Sequence, residues 1–467
     1  MLEFKPLGEN VNLIKNYIDK SEISFCDISL GVKYMWRDDF KADYAFTGES
    51  LVLKESSPLY QNAFYYPMGG DEAAALIAIE KYCKATGTPL EFCCLDVPHA
   101  DALQKRYPLC KRFFDRDWSD YIYEAESFKT YSGKKLSGQR NHVNKFKKLY
   151  PDYKTGILTE NDLDRVKDFL TEFERGTDFS AWSEREEERK VYDLTENSFN
   201  IGQVGAYVEV GGKIIAFSVG EVVGDTLIVH VEKALKNYEG AYPFMAQTFA
   251  NYFAVGGVKY INREEDCGDE GLRTSKTQYH PVEIKEKISL KVFTPFDKII
   301  SPVRISTPRA VVCEITEEDG KSYCDLCTDE ETCRYWGYDY KSDLNGNAPN
   351  EEYFLNFVKT LKASKEEYPL AINLGGALIG EVTLYNFDFS GGCEIGFRLK
   401  KEYRGKGYAK ECAAAVIDYA FNSLGAACVR TRCYKQNAPS YGLIKSLGFY
   451  FEREDEEKFY FIKMNKI

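Results

Sequence analysis

The chain has 467 residues, enough for two or three domains, and its 44% hydrophobic content can fill several cores. Acidic residues outnumber basic ones by 73 to 61, which gives a net charge of −12. This balance argues against extended nucleic-acid binding, or attachment to an anionic membrane, as the main function.

The N-terminus and the cysteines indicate a compartment. The first residues lack a signal-peptide pattern, and no apolar run is long enough to span a membrane. The 14 cysteines are scattered rather than arranged as a disulfide framework. We therefore predict a reducing, cytoplasmic setting. Cys324, Cys327 and Cys333 include a C-x-x-C pair, but without a second close pair we predict no metal site.

The first region, up to about residue 130, mixes helices and strands. The segment "GDEAAALIAIEKYCKATG" predicts an amphipathic helix, and "PLEFCCLDV" predicts a buried strand after it. A basic helix is predicted next, over residues 134–148. Leu136, Val143, Phe146 and Leu149 would form its apolar face, with Lys and Arg on the other side.

The second and third regions repeat one order of elements. From Gly205, and again from Tyr368, the pattern predicts two hairpins, a glycine-containing loop, a helix and a further strand. The proline-rich stretch "TPFDKIISPVRISTPR" between them predicts a linker. The repeated order predicts two copies of one fold.

A glycine-rich loop precedes the helix of the third region. Arg404, Gly407 and Ala409 form the pattern R-x-x-G-x-A between the predicted strand "CEIGFRL" and the helix. The first turn of a helix has N–H groups without partners and a positive dipole end, so it can bind a pyrophosphate where no side chain blocks the approach. Gly405 and Gly407 would keep that approach open. The alternative is an ordinary strand-to-helix turn rich in glycine.

The third region resembles the GCN5-related N-acetyltransferases (GNAT), in the branch of the ribosomal-protein N-acetyltransferases. The loop pattern is similar to their acyl-coenzyme A signature, "CYKQNAPSYGLIKSLGFYFERE" is similar to their next motif, and "DEETCRYWGYDYKSD" and "ALIGEVTLYNFD" are similar to that branch. The resemblance implies a domain that binds acetyl-CoA between the strands "CEIGFRL" and "CVRTRCY". The cofactor-binding residues that it implies are Phe397, Arg398, Leu399, Arg404, Gly405, Lys406, Gly407, Tyr408, Ala409 and Asn437.

The same resemblance implies the reaction. The amine of a small molecule, peptide or protein would attack the thioester, helped by a base. Glu381 and Glu394 are the candidate bases, and for each the alternative is a carboxylate that faces solvent. Many relatives carry a tyrosine as general acid at the place where this chain has Ile444. Tyr441 lies nearby, and the identity of the acid stays open.

The second region departs from this pattern at its own loop, "LKNYEGAYPF". Gly240 aligns with Gly407, but Asn237 replaces Arg404 and Tyr238 replaces Gly405. We therefore predict that this copy does not bind CoA in the usual way.

A charged cluster follows instead. It combines "INREEDCGDEGLRTSK" with two residues of the strand "LIVHVEKA", and its candidate substrate-binding residues are His230, Glu232, Arg263, Glu264, Glu265, Asp266, Arg273 and Lys276. The alternative is a solvated charged loop.

Residues 1–295 resemble the C-terminal domain family of the phosphatidylglycerol lysyltransferases. "HVEKA", "GAYPFMAQTFA", "INREEDCGDEGLR" and "YHPV" carry the likeness. It implies a tandem pair of acetyltransferase-type folds with a degenerate first lobe. Membrane-linked members move an aminoacyl group from tRNA to a lipid; this sequence lacks their transmembrane part. The basic helix at 134–148 is then either a solvated linker helix or a contact for a tRNA end.

Together these patterns predict an α+β protein with three GNAT-like folds. The predicted domains are a degenerate lobe at 1–130, a second lobe at 131–298, a linker at 299–308 and an N-acetyltransferase domain at 309–467. The predicted function is acyl-CoA-dependent N-acyl transfer. The alternatives for the N-terminal module are aminoacyl transfer from tRNA and non-catalytic binding of a substrate or peptide.

Overall fold

The computed structural model describes residues 1–21, 25–56, 61–175, 182–344 and 346–466. The chain forms two compact units, one of Met1–Asp101 with Arg112–Lys291 and one of Ala102–Lys111 with Val292–Ile467. We call them unit 1 and unit 2. None of the described helices is both long enough and apolar enough to cross a membrane.

The described strands form three sheets. In chain order they are β1 (Lys5–Pro6), β2 (Lys41–Thr47), β3 (Ser50–Ser56), β4 (Ala63–Phe64), β5 (Glu91–Leu95), β6 (Cys110–Phe114), β7 (Asp120–Glu124), β8 (Lys154–Ile157), β9 (Val204–Val210), β10 (Lys213–Val223), β11 (Thr226–Ala234), β12 (Tyr260–Asn262), β13 (Glu283–Lys285), β14 (Ile288–Val292), β15 (Arg304–Ser306), β16 (Val311–Glu314), β17 (Glu367–Leu374), β18 (Ala377–Tyr385), β19 (Gly392–Leu399), β20 (Cys428–Tyr434), β21 (Tyr450–Glu454) and β22 (Lys458–Met464).

Helices flank the sheets. In chain order they are α1 (Lys15–Ile18), α2 (Leu30–Met35), α3 (Glu72–Thr86), α4 (Val97–Arg106), α5 (Ala125–Thr130), α6 (Ser137–Leu149), α7 (Leu163–Arg175), α8 (Trp182–Asn197), α9 (Ala241–Phe253), α10 (Glu270–Thr277), α11 (Gly320–Thr328), α12 (Glu330–Cys333), α13 (Tyr340–Asp343), α14 (Glu351–Ala363), α15 (Tyr408–Asn422) and α16 (Ala438–Ser446). Three mostly antiparallel sheets with flanking helices confirm the predicted α+β class.

Local chemistry explains where the predicted elements begin and end. The side chain of Asp71 accepts a hydrogen bond from the N–H of Ala74 and caps the start of α3, and Gly87, in the left-handed conformation, ends it. The predicted buried strand is β5. In α6, Val143 and Phe146 are buried as expected, but Leu149 is 49% exposed, so the prediction that it belongs to the apolar face was wrong.

Unit 1 contains two sheets that exchange strands. Their orders are β1-β2-β3-β4-β5-β14-β6 and β13-β7-β12-β11-β10-β9-β8. Thus β7, from the first third of the chain, pairs with β12, while β14 returns to pair with β5. One apolar core, from Leu7 to Tyr279, serves both sheets. The division at residues 130 and 131 stays a prediction, because the sheets themselves cross it.

Unit 2 is built on the third sheet, in the order β15-β16-β17-β18-β19-β20-β22-β21. Part of the predicted linker, β15, is in fact the edge strand and pairs with β16. The parallel strands β19 and β20 pair only from Gly392 to Glu394 on the β19 side. One further hydrogen bond follows, from Thr431 Oγ1 to the carbonyl of Ile395 at 2.9 Å. Beyond this point the two strands separate, and the sheet has a gap.

Candidate functional site

The loop between β19 and α15 exposes its backbone. Gly405 and Gly407 have φ angles of +72° and +85°, which favour glycine. A Cβ atom at Gly405 would meet nothing within 4 Å, so the space beside the loop is open. The 15-residue helix α15 begins at Tyr408 and directs its first N–H groups toward this space. Backbone donors and a helix dipole thus meet at a site that a pyrophosphate fits.

Arg309, which the sequence did not single out, braces this loop. Its Nη1 donates to the carbonyl of Lys406 at 2.9 Å, and its Nε donates to Glu411 at 2.7 Å. Its Nη2 lies 3.1 Å from the position that a Cβ of Gly407 would take. The guanidinium also covers the Tyr408 ring, 4.5 Å from its centroid. Arg309 therefore adds positive charge at the mouth of the loop.

The other predicted loop residues have structural contacts. Arg404 donates to the carbonyl of Leu399 at 3.1 Å and to Thr332 at 2.8 Å, so its guanidinium anchors the loop to α12. Lys406 is exposed beside the Tyr403 ring, and Ala409 packs against the core of unit 2.

The predicted strand residues lie at the gap between β19 and β20. Phe397 and Leu399 face the core below α15. The side chain of Arg398 points to the opposite face, where it stacks 4.3 Å from the centroid of the Trp336 ring. Asn437 lies at the start of α16 and accepts a hydrogen bond from the N–H of Ser440 at 3.3 Å, as an N-cap.

The two candidate bases have different surroundings. Glu381 is 2% exposed and accepts two hydrogen bonds from Arg398, at 2.6 and 2.9 Å, and one from Thr383. Cys327 and Cys333 contact the same guanidinium, each at 3.1 Å, so those two thiols of the C-x-x-C segment belong to this cluster. Glu381 is therefore held in a buried ion pair, where losing either partner is costly.

The two carboxylate oxygens of Glu394 differ in their contacts. Its Oε1 accepts a hydrogen bond from Asn386 at 3.0 Å, while its buried Oε2 has no hydrogen-bond partner and lies 3.6 Å from Nε of Arg432. Tyr385 packs beside it, and burial raises the pKa of that phenol. Glu394 lies directly before the point where β19 and β20 separate. It is the carboxylate whose geometry suits proton acceptance.

An open groove lies at the end of β20. Its volume is 540 Å³, and its lining includes Arg334, Tyr335, Tyr434 and Gln436. The rings of Tyr335 and Tyr434 are 5.6 Å apart. The groove lies at the carboxyl end of β20, the strand that pairs in parallel with β19, and it has room for a small molecule.

The predicted acid stays unassigned. Ile444 is fully buried, whereas Tyr441 is 37% exposed, with its ring 5.5 Å from that of Phe459. The phenol of Tyr441 lies on the surface of α16 and is available to solvent.

In unit 1, the loop that aligns with the glycine loop is filled. Gly240 has a φ of +81°, and a Cβ atom there would lie 2.4 Å from the carbonyl oxygen of His142 in α6. The rings of Tyr238 and Tyr150 pack 5.2 Å apart beside it. Helix α6 thus covers the backbone that is open in unit 2, which supports the prediction that this copy does not bind CoA in the usual way.

Seven of the eight residues of the predicted charged cluster in unit 1 fall into three networks. In the first, His230 is enclosed by Glu264 at 2.7 Å and Glu221 at 2.9 Å. Burial disfavours the imidazolium, but these hydrogen bonds dominate and raise the pKa of His230 to about 9. The backbone N–H of Gly31 donates to Glu221 at 2.6 Å.

The second network is centred on Arg263, whose guanidinium packs against aromatic rings. Arg263 donates to Glu232 at 2.8 Å, and its guanidinium lies 4.7 Å from the centroid of the Tyr279 ring. Nη1 of Arg263 is buried without a hydrogen-bond partner. Lys276 donates to the carbonyl of Arg263 at 2.7 Å, and burial lowers the pKa of this ammonium.

The third network surrounds Asp266, which is fully buried. Arg273 binds it at 2.7 and 3.0 Å, and Tyr121 donates to it at 2.6 Å. Although burial opposes ionisation, these hydrogen bonds hold the pKa of Asp266 well below its usual range. Asp266 and Arg273 thus bind each other, which leaves less of the guanidinium for a ligand.

Glu265 belongs elsewhere, in a cluster that the sequence did not predict. Its carboxylate lies 3.0 Å from the ammonium of Lys287, which also contacts Cys26, Asp27 and Asp120. Burial raises the pKa of Glu265 to about 7. These partners are up to 261 positions apart in the chain, so no local pattern could have revealed them.

Unit 2 combines a mostly antiparallel sheet with an open, glycine-rich loop before α15. The family comparisons match two separate parts of the chain. Residues 22–290 match the family described as "Phosphatidylglycerol lysyltransferase, C-terminal", and the chain belongs to that family. Residues 309–450 match the "Acetyltransferase (GNAT) domain". Both predicted resemblances are confirmed, and unit 2 is an acyltransferase domain of the type that uses acyl-CoA.

Individual relatives match the two parts of the chain separately. A protein of unknown function from Bacteroides thetaiotaomicron VPI-5482 is 31% identical, with a TM-score of 0.58; the match covers 62% of this chain and 99% of that one. The uncharacterized N-acetyltransferase YnaD of Bacillus subtilis (strain 168) is 26% identical over 147 residues, which are 31% of this chain and 82% of YnaD. The uncharacterized N-acetyltransferase p20 of Bacillus licheniformis is 26% identical over 144 residues, 31% of this chain and 80% of p20.

Proposed function

We propose that unit 2 transfers an acetyl group from acetyl-CoA to a primary amine of a small molecule, peptide or protein. The observation that carries the proposal is the open backbone at Gly405, at the start of α15 and next to the gap between β19 and β20, with the Arg309 guanidinium beside Gly407. The N–H groups of α15 and the guanidinium of Arg309 would hold the pyrophosphate. Acetyl-CoA, when bound, supplies an activated thioester.

Glu394 is the base in this proposal. An amine must lose a proton to become and remain a nucleophile. Oε2 of Glu394, which accepts no hydrogen bond and lies 3.6 Å from Nε of Arg432, can accept that proton directly or through water. Glu381 serves the structure instead, because Arg398 and Thr383 already occupy its oxygens. The groove at Tyr335 and Tyr434 is the proposed place for the acceptor.

Calorimetric titration with acetyl-CoA tests the proposal. The wild-type chain should bind, and Gly407→Glu should not, because a carboxylate there would repel the pyrophosphate. Asn356→Glu, which adds the same single negative charge on the exposed side of α14, is the matched control and should bind normally. A melting curve for each variant shows that it is folded. Absence of binding by the wild type would end the acetyltransferase proposal.

A second candidate is aminoacyl transfer from tRNA by unit 1. Its support is the family match and the basic helix α6. Two of the basic residues are already engaged: Lys145 lies 2.5 Å from Glu239, and Lys147 lies over the Phe244 ring. The remaining alternative, a non-catalytic substrate-binding module, would use the buried Nη1 of Arg263 as a donor to a carboxylate.

Titration of tRNA against Lys145→Glu/Lys148→Glu separates these alternatives. Phosphate contacts make binding weaker at higher salt and in this double variant. Lys321→Glu/Lys359→Glu, with the same change in charge in unit 2, should leave such binding unchanged. If the affinity for tRNA is unchanged by salt and by Lys145→Glu/Lys148→Glu, helix α6 is not a tRNA contact.

A further inference from the structure

A thiol and an amine meet in the interior of unit 1. The Sγ of Cys26 lies 3.2 Å from the Nζ of Lys287, and the two residues are 1% and 8% exposed. Cys26 lies just before α2, whereas Lys287 directly precedes β14, the strand that returns to the first sheet. The contact therefore joins two segments that are distant in sequence.

Carboxylates surround this pair. Asp120 Oδ1 lies 3.2 Å from the sulfur and 2.7 Å from the ammonium nitrogen. Glu265 lies 3.1 Å from the sulfur through Oε2 and 3.0 Å from the nitrogen through Oε1. Asp27 also binds the ammonium. The Cys26 thiol and the Lys287 ammonium thus each have a carboxylate close enough to accept a proton.

A bound metal ion is the obvious alternative for such a cluster. The ligand atoms of Cys26, Asp27, Asp120 and Glu265 lie within 4.8 Å of one another. The ammonium of Lys287, however, already contacts all four groups and supplies the positive charge there. The cluster is therefore better described as a buried thiol–amine pair with acidic neighbours.

We propose that Cys26 and Lys287 form a covalent sulfur–oxygen–nitrogen bridge when the protein meets hydrogen peroxide. The partly exposed side chains of Asp27 and Glu265, at 22% and 14%, mark the side from which so small an oxidant reaches the sulfur. Burial raises the pKa of the Cys26 thiol. Although burial lowers the pKa of Lys287, the charges of Asp120 and Asp27 outweigh it and raise that pKa well above its usual value. Both groups are therefore protonated at rest, so the reaction is slow and each must first pass a proton to a nearby base. Glu265, with a pKa of about 7, can exchange protons at neutral pH.

The chemistry balances with two molecules of peroxide. The sulfur attacks the first, which gives a sulfenic acid and water. The ammonium of Lys287 passes a proton to a neighbouring carboxylate, and the resulting neutral amine attacks the second, which gives a hydroxylamine and water. The hydroxylamine oxygen then attacks the sulfenic sulfur, so that an S–O bond forms and a third water leaves. Sulfur and nitrogen are each oxidised by two electrons, and each peroxide is reduced to water.

The bridge has two consequences. It links the turn before α2 to the start of β14, so β14 is held covalently in the first sheet. It also removes the positive charge of Lys287 from three carboxylates. Since a thiol reductant such as dithiothreitol returns the bridge to a free thiol, a free amine and water, the site would respond reversibly to oxidants.

Mass spectrometry of the full chain tests the proposal. After treatment with peroxide and digestion without reductant, the peptides of Cys26 and Lys287 should be joined. The joined mass should equal their sum plus one oxygen less two hydrogens, and dithiothreitol should separate them. Cys94→Ser, which alters another buried cysteine of unit 1, should keep the joined peptide. Cys26→Ser should abolish it, and so should Lys287→Arg, which keeps the charge.

Other results overturn the proposal. They are Cys26 recovered as a free thiol after prolonged peroxide treatment, Cys26 carrying two or three oxygens without a link to Lys287, and a disulfide of Cys26 that Cys94→Ser removes. Should Lys287→Arg fail to fold, the wild type and Cys26→Ser decide the question by themselves.

Discussion

At the scale of single residues, the environment of a carboxylate decides its role. The sequence offered Glu381 and Glu394 as equal candidates, since both lie on strands of the third sheet. Only the contacts separate them. Arg398 and Thr383 occupy the oxygens of Glu381, whereas Oε2 of Glu394 is buried without a hydrogen bond. That oxygen lies in an ion pair with Arg432 at 3.6 Å, longer than a hydrogen bond, which leaves it a candidate for proton acceptance.

We expect Glu394→Gln to lower kcat for acetyl transfer about 100-fold, because the base is lost while the shape is kept. The KM for acetyl-CoA should change little. Glu381→Gln is the matched control. It leaves the buried Arg398 without its counter-charge and should cost roughly 3 kcal/mol in the free energy of unfolding. Equal loss of kcat in both variants, at equal stability, would contradict the assignment.

His230 gives a prediction about pH. Its folded pKa, about 9, lies above the ordinary value of 6.5, so the imidazolium stabilises the fold. This contribution is fully present below about pH 6.5 and is lost as the pH rises through 9. The free energy of unfolding of unit 1 should therefore fall between these values. Denaturant melts of wild type and His230→Gln should differ in this window, with a flatter profile for the variant; parallel profiles would refute the prediction.

At the scale of elements, the two copies of one strand–loop–helix motif differ in how exposed their loops are. The loop before α15 is open, while the loop before α9 is covered by α6. Both have a glycine with positive φ at the start of the helix, because the turn requires it. The difference comes from neighbours that are remote in sequence: Arg309 at one loop, and His142 and Phe146 at the other.

Arg309 should contribute to cofactor affinity. Because its guanidinium lies beside Gly407 and binds the loop backbone, we expect Arg309→Ala to raise the KM for acetyl-CoA about 10-fold, with kcat little changed. The exposed Arg304 on β15 is the matched control, since Arg304→Ala removes the same charge from the same sheet edge. An effect of the same size in both variants would show that only net charge matters.

At the scale of the whole molecule, the strand exchange in unit 1 governs how the chain can be divided. A fragment of residues 1–130 lacks β14, which lies between β5 and β6, and a fragment of 131–298 lacks β7, which lies between β12 and β13. Each fragment would expose unpaired strand edges, which favour aggregation.

We therefore expect residues 1–130 and 131–298 to be insoluble or unfolded when expressed separately, whereas residues 1–298, which keep all of β14, should give a cooperative melt. Circular dichroism and limited proteolysis would check this. A stable, cooperatively folded 1–130 fragment would show that the first sheet does not need β14. That result would favour the domain boundary drawn from the sequence.

The sequence by itself determined the class of fold, the two family resemblances and the position of the glycine-rich loop before α15, because these depend on local signals. Hairpin glycines, alternating apolar residues and the R-x-x-G-x-A pattern act within a few positions of one another. The start of α3 at Asp71 and the turn at Gly407 are likewise set by residues that are close in sequence.

Only the tertiary structure decided which charges meet. It separated Glu381 from Glu394, divided one charged segment into networks around His230, Arg263 and Asp266, and brought Cys26 to Lys287. Side-chain contacts depend on strand pairing between distant segments, and a single strand that changes sheets moves every residue attached to it. In this chain β7 and β14 both do so, which is why a linear pattern could place the charged residues at one edge but not assign their partners.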